Sequence, residues 1–357
     1  MFHAETKKMT EKAFEELVST LVNAENVPAG VWRSLLTLGS DRRSELALLA
    51  RKVTEDNFDK GVFVRALVEI SSYCRNNCRY CGLRAANRDA VRYRLTREQI
   101  LECCEKGASL GFNTFVLQGG EDVVQTDEWL ADVVRAIKEL YPLKAVTLSV
   151  GERRENGYAM FRSAGADRYL LRHETASEEH YSLLHPASMS AASRKNCLQV
   201  LKSLGYQTGS GMMVGSPGQG IDELVADLVF LDLLKPEMIG IGPFIPASGT
   251  PFAGEQPGDV EMVLLLISIL RLRFPKALIP ATTALATLCS DGTERGILAG
   301  ANVVMPNLTP RAFVGNYTIY DNKKYRDTEA ATQLELLEKR LNAIDRHIDY
   351  GRGDYNI

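Results

Sequence analysis

From Phe63 to Asn307, eight short β-rich runs alternate with longer segments whose apolar residues recur at helical spacing. The runs are FVRALVEIS, TFVLQGG, AVTLSVG, RYLLRHE, GSGMMVG, MIGIGPF, LIPATTA and ANVVMPN. Strands separated by helices cannot join through tight hairpins, so they pair in parallel, and eight such units imply a closed barrel. The connecting segments carry helix punctuation: in TREQILECCEKGASLG, Thr96 and Gln99 form a capping-box pattern and Gly111 stands where a helix should stop. The expected fold is α/β, a complete (βα)8 TIM-type barrel over 59–322. An N-terminal helical extension over 1–58, marked by ELALLARKV, precedes it, and a C-terminal helix and tail over 323–357 follow. A helix is expected near Glu329 to Ile344, and the tail after Asp349 reads as poorly ordered.

A length of 357 residues accommodates one barrel of about 250 residues with extensions. No apolar run approaches the roughly 18 residues that span a bilayer, so no membrane partner is expected. The N-terminus, MFHAETKKMTEKAFEEL, carries acidic residues where a signal peptide needs a basic and then an apolar segment, so the expected location is the cytoplasm. Net charge is −3 without long blocks of either sign, which argues against a nucleic-acid partner. Seven cysteines is an odd count, and three fall within eight residues, a pattern that suits a metal better than a disulfide framework.

Those three are Cys74, Cys78 and Cys81 in CRNNCRYC, just beyond the first strand, with loop-forming Asn76 and Asn77 between them. The C-terminal ends of barrel strands are where barrel chemistry sits. Structural zinc usually takes four protein ligands, and no fourth is at hand. An electron-transfer 4Fe–4S cluster usually takes four cysteines, and Cys103, Cys104, Cys197 and Cys289 show no ferredoxin spacing. Three ligands leave one iron of a 4Fe–4S cluster open. The amine and carboxylate of S-adenosylmethionine (SAM) can chelate it, and an electron passed into the sulfonium then releases a 5'-deoxyadenosyl radical. Tyr80, beside the last cysteine, is placed to cover the adenine. The triplet resembles the radical SAM superfamily signature; a zinc site or a chance cluster is the alternative.

Other strand ends carry supporting groups. In QGGED, Gln118 to Asp122, Gly119 and Gly120 admit close approach of backbone to a ligand, and Glu121 follows; the loop is expected to receive the SAM amino group, and the plain reading is a turn. In RYLLRHET, period-two alternation puts Arg172 and Glu174 on one face and His173 on the other. Glu174 is expected at SAM and Arg172 at the substrate, with a structural ion pair as the alternative. Arg194 is a candidate bidentate fork for the SAM carboxylate, with an exposed arginine that only solvates its helix face as the alternative, and the assignment needs the family resemblance. Thr147, Ser149, Thr282 and Thr283 supply small hydroxyls, and Met213, Met238 and Met305 a soft lining that shelters a radical, or else ordinary packing.

Taken together, CRNNCRYCGLR, LQGGED, AVTLSVGE, RYLLRHETA, MMVGSPGQ, IGIGPFIP, IPATTA and GANVVMPN resemble the FeFe-hydrogenase maturase HydE family from about Val64 to Tyr320. The resemblance implies a complete barrel closed by an N-terminal extension, with Glu174, Arg194 and Tyr317 near SAM. It implies a substrate pocket of Arg172, Thr282 and Thr283 alongside Thr147, Met238 and Met305. It further implies that the adenosyl radical attacks the sulfur of a cysteine bound to an iron carbonyl cyanide complex, supplied by HydG and passed on to HydF, with a separate electron donor. Some members hold a second cluster through C-terminal cysteines; this chain has none after Cys289, so one 4Fe–4S cluster with three cysteine ligands is expected. The nearest rival is a methylornithine synthase-type lysine mutase, which ISILRLRFPKALIPAT also resembles; RHETA and the paired threonines favour the maturase. A noncatalytic iron–sulfur protein is the rival of another class. His3, His180, His185 and His347 show no metal spacing, and His173 is expected to pack behind its strand.

Overall fold

A computed structural model describes residues 9–323 and 329–355. Three helices come first: α1 (Glu11–Asn23), α2 (Ala29–Leu36) and α3 (Ser40–Phe58). Thr10 starts α1 by accepting a hydrogen bond from the Ala13 N–H, a side-chain N-cap. Phe14, Leu21, Trp32, Leu35, Leu36 and Leu46 bury the apolar faces of these helices. His3 lies outside the described residues.

The alternation then runs as the sequence pattern requires: β1 (Gly61–Val64), β2 (Ala66–Ser71), α4 (Arg97–Ser109), β3 (Thr114–Gly119), α5 (Asp127–Leu140), β4 (Ala145–Ser149) and α6 (Glu155–Ser163). It continues through β5 (Arg168–Leu170), α7 (Glu178–Leu184), α8 (Ala191–Ser203), β6 (Gln207–Ser210), β7 (Met213–Val214), α9 (Ile221–Leu234), β8 (Met238–Ile239) and β9 (Gly242–Pro243). The last part holds α10 (Val260–Arg273), α11 (Thr283–Leu288), α12 (Gly292–Leu298), β10 (Val303–Val304), α13 (Arg311–Val314), α14 (Ala330–Asn342) and β11 (His347–Asp349). Strands β2, β3, β4, β5, β6 and β8 pair in that order, all parallel. Parallel bridges Met238–Leu278, Pro280–Val303 and Leu67–Asn307 carry the order on through the seventh and eighth runs and back to β2. The early helices pack against later ones, α2 against α9 and α3 against α10. No helix among the described residues is long and apolar enough to cross a membrane.

Helix α4 has the anticipated capping box: Thr96 Oγ1 accepts from the Gln99 N–H, Gln99 Oε1 accepts from the Thr96 N–H, and Gly111 ends the segment at φ +89°. Three expectations need correction. The first run divides at Arg65, so that β1 pairs with β10 and β11 while β2 begins the six-stranded sheet. LIPATTA contributes bridges rather than a ladder and passes directly into α11.

The tail after Asp349 is ordered as far as Tyr355. Arg168, fully buried at the start of β5, donates to the carbonyls of Arg352 (2.8 Å) and Gly353 (3.1 Å) and to Asp354 Oδ1 (2.6 Å). Arg65 also donates to Gly353 O (3.2 Å), and Arg352 pairs with Asp167 (3.0 Å). Buried guanidinium groups require oxygen partners. The tail supplies them across the barrel end opposite the cysteines.

Candidate active site

The three cysteines lie in the loop that leaves β2. Arg92 staples this loop, donating to the carbonyls of Ser72 (2.5 Å), Leu83 (2.9 Å), Arg84 (2.8 Å) and Asn87 (3.2 Å). Asn77 Oδ1 accepts from the Ala86 N–H, and the Ala85 N–H reaches Asn76 O, each at 2.8 Å. Cys74, Cys78 and Cys81 are all free and partly exposed. Burial first, and then the neighbouring sulfurs Cys81 and Cys74, push the Cys78 thiol well above its ordinary pKa. Cys81 is pushed up to about 12 by burial and by Cys74. Thiols that raise one another in this way share one small space, and a bound cation reverses the effect by holding them as thiolates. Burial raises the Cys74 thiol as well, and the nearby backbone N–H groups of Asn76 and Glu121 oppose that push. Among the described residues no three His, Cys, Asp or Glu side chains surround a single ion; a cubane instead gives each thiolate its own iron.

Behind the loop the QGGED turn leaves no room for a side chain. A Cβ on Gly120 would stand 2.2 Å from Tyr73 O and 2.8 Å from Cys74 Cβ. Glu121 does not face an open site: Arg75 takes Oε2 (3.0 Å), and the Glu152 N–H takes Oε1 (2.9 Å). Asp122 likewise pairs with Arg94 (2.6 Å) and accepts from Ser71 Oγ (2.6 Å). These carboxylates brace the cysteine loop against β3. The partly exposed side chain of this turn is the Gln118 amide, and the rest of its accessible surface is backbone.

At the end of β5, Arg172 and Glu174 do share a face, and His173 is buried behind them. Arg172 Nε donates to Glu174 Oε1 at 3.0 Å, whereas Glu174 Oε2 is buried with no hydrogen-bond partner. The Glu174 charge acts on Tyr80, Cys78 and Cys81, which places its carboxylate beside the cysteine loop. Its backbone is left-handed, φ +64°, a strained state for a residue with a Cβ. Arg194, from α8, is buried; its Nε donates to Glu152 Oε1 (2.5 Å), and a terminal nitrogen holds Arg172 O (2.8 Å). Glu152 was not singled out from the sequence, since nothing local links it to a residue 42 positions later.

Tyr80 packs against Leu184, Met213, Phe244 and Phe252, and its hydroxyl lies 3.1 Å from His185 Nε2. His185 Nδ1 is 3.0 Å from Tyr181 O, an acceptor only, so Nδ1 carries the proton and Nε2 accepts from Tyr80. Burial, and next Arg194, bring His185 down to about 3, keeping it neutral. Thr147 Oγ1 and Thr282 Oγ1 are buried without hydrogen-bond partners. Tyr317 is buried with its hydroxyl 3.4 Å from Gln118 Nε2, and the charges of Cys81 and Cys74 reach it.

Met238, Thr283 and Met305 complete the set of candidates. Met238 opens β8 with Sδ 3.2 Å from Arg65, in the layer next to the tail rather than at the mouth. Thr283 and Met305 both border a small cavity of about 50 Å³ under α14, together with Gln333 and Leu337. Missed altogether was Glu69, fully buried in β2 and paired with Lys323. A lone acid inside the apolar run ALVEIS was its available signal.

These residues fit a three-thiolate cluster with SAM beside it. Among the described residues the thiols have no disulfide partner, the cysteine loop packs directly on Gly120, and Glu174 presents an unsatisfied buried oxygen beside that loop, with two more on Thr147 and Thr282. Such oxygens are costly unless a ligand completes them.

Comparison with known proteins agrees. Residues 68–231 match the radical SAM superfamily. The chain is 45% identical to the FeFe-hydrogenase maturase subunit HydE of Thermotoga maritima, over 77% of this chain and 78% of that one. It is 31% identical to 3-methylornithine synthase of Methanosarcina barkeri, over 93% and 94% of the two chains. The crystal structure of methylornithine synthase (PylB) superposes with a TM-score of 0.82 at 28% identity, covering 93% of this chain and 97% of that one. The chain therefore belongs to the radical SAM superfamily and, within it, to the HydE family beside the methylornithine and biotin synthases.

Proposed function

We propose that this chain reductively cleaves SAM during assembly of the FeFe-hydrogenase active site, on a cysteine-bound iron carbonyl cyanide complex. The observation that carries the reading is three free thiols facing the unpartnered Glu174 oxygen, in a chain 45% identical to a HydE. Cys74, Cys78 and Cys81 hold a 4Fe–4S cluster, which supplies the electron that opens the SAM sulfonium. Glu174 Oε2 accepts a hydrogen bond from bound SAM, Arg194 fixes the strand end that carries it, and the Tyr80 ring, held by His185, covers the adenine. Thr147 and Thr282 donate to the substrate, and Arg172 pairs with its carboxylate. The bridges that return the strand order to β2 support a complete eight-stranded barrel, which excludes water from this mouth. By the same resemblance, HydG supplies the substrate and HydF receives the product.

The methylornithine synthase reading is favoured by the match over almost the full chain. Anaerobic reconstitution, reduction, and addition of SAM with either the iron–cysteine complex or lysine separates the two by mass spectrometry. Products that depend on the iron–cysteine complex support the maturase, whereas conversion of lysine to methylornithine refutes it.

A further inference from the structure

We propose that the rim around the cysteine loop is the docking face for a small acidic redox protein, with Arg79, Arg84 and Arg88 as its charged contacts. This presupposes the cluster-bearing function proposed above and names the partner that delivers its electron.

Between positions 75 and 97 the chain carries seven arginines and a single acid, Asp89, although the whole chain has a formal charge of −3. Four of the seven have internal work. Arg75 pairs with Glu121, Arg94 with Asp122 over the Tyr73 ring, Arg97 with Asp132, and Arg92 holds four carbonyls. Arg79, Arg84 and Arg88 have no carboxylate partner among the described residues, and Arg79 and Arg88 are exposed. Like charges gathered without counter-ions raise the local potential, and that cost is recovered when a surface of opposite sign docks.

Backbone contacts put the three on the cysteine loop itself. Arg79 directly follows Cys78; the Arg84 N–H bonds Cys81 O (3.0 Å), and the Asn87 N–H bonds Arg84 O (3.0 Å). Apolar residues flank them. Val91, Val123 and Val124 are 59%, 66% and 60% exposed. Val91 O accepts from Ser72 Oγ (3.1 Å), and Glu121 O, just before the other two valines, accepts from the Arg75 N–H (3.0 Å). Arginine with exposed apolar residues and no lysine is the composition of a protein-binding rim rather than of a phosphate track.

The position selects the kind of protein. The loop that carries the three sulfurs also carries the exposed Arg79 and Arg88, so a donor seated here touches the segment that would hold the cluster. The exchange is a one-electron transfer: a flavodoxin hydroquinone is oxidised to the semiquinone, the cluster is reduced by one electron, and no atoms move between them. A transient contact of this kind needs only a small interface steered by charge.

The probe is an acidic flavodoxin, titrated calorimetrically into wild type and the Arg79→Glu/Arg88→Glu variant at low and high salt. Flavodoxin-driven and dithionite-driven SAM cleavage are measured in parallel. The expected result is binding that weakens with salt and falls on the order of tenfold or more in the variant. The flavodoxin-driven rate should fall with it and the dithionite-driven rate stay at the wild-type value. Equal binding by the two proteins, salt-insensitive binding, or tighter binding to a single-stranded RNA oligomer would overturn the docking face. An equal fall in the dithionite rate would also overturn it, by assigning the effect to the loop. Failure of wild type to cleave SAM with dithionite would instead overturn the function proposed above, and the calorimetric arm would still decide the docking face.

Discussion

Replacing Asp227 by alanine should loosen the turn that presents Glu174 while leaving the barrel folded. Asp227, on α9, is fully buried and accepts from the Ala176 N–H; its Oδ1 is also 3.4 Å from His173 Nε2, and His173 Nδ1 is 3.0 Å from Ser210 Oγ. These contacts lie on both sides of Glu174, whose left-handed backbone costs roughly 1–2 kcal/mol and persists only when its surroundings enforce it. Asp227→Ala leaves the buried Ala176 N–H without an acceptor, at about 1–3 kcal/mol, while His173 Nε2 has no hydrogen bond to lose. The carboxylate's own Oδ2 has no partner either, so its loss also removes a desolvation cost, and the net destabilisation comes to about 1–2 kcal/mol. A domain stable by about 5–15 kcal/mol survives this. Restoring the turn on ligand binding then costs about 1.4 kcal/mol, a tenfold weaker SAM affinity. Denaturant unfolding and calorimetric SAM titration of the cluster-loaded protein give both numbers, with Ser210→Ala as the control that spares the Ala176 contact. Lower stability with unchanged SAM affinity would show that Asp227 does not position Glu174.

Four further outcomes are expected. Gly120→Ala brings a methyl group to 2.2 Å from Tyr73 O, so reconstituted protein should keep its circular dichroism and lose most of its iron; full iron loading would contradict the close approach. Truncation after Asp349 strips three oxygens from buried Arg168 and should cost about 3 kcal/mol in denaturant unfolding, and an unchanged midpoint would mean that the tail holds nothing. His185 is held at about 3 in the folded state against about 6.5 unfolded, so the unfolded chain takes the proton first; its contribution is intact above pH 6.5 and lost as pH falls toward 3. The slope, on the order of 1 kcal/mol per pH unit, should flatten in His185→Asn. Reconstitution should give about four irons per chain and none in the Cys74, Cys78, Cys81→Ala triple variant, and retained iron in that variant would reveal a second cluster.

The β-rich runs, the capping box at Thr96 and the pairing of Arg172 with Glu174 on one face were legible because each depends on periodicity within a few residues. The roles of Glu121 and Arg194 were only half legible. Their chemistry suited SAM, but Arg75, Glu152 and the Arg172 carbonyl, which take up those groups, come from other loops and strands. Met238 lay in a strand that the pattern marked, yet which end of the strand it occupied depended on register with β6.

By itself the sequence determined the parallel α/β repeat and the three-thiol loop at a strand's C-terminal end, because both are written in short-range spacing. Tertiary structure alone decided that the tail seals the far end of the barrel, since Arg168 meets Asp354 across 186 positions. It alone also decided which arginines of the cysteine loop brace the fold and which remain free at its rim. Such choices follow from burial, where a charge must find its partner wherever the chain brings one, and no local pattern encodes that meeting.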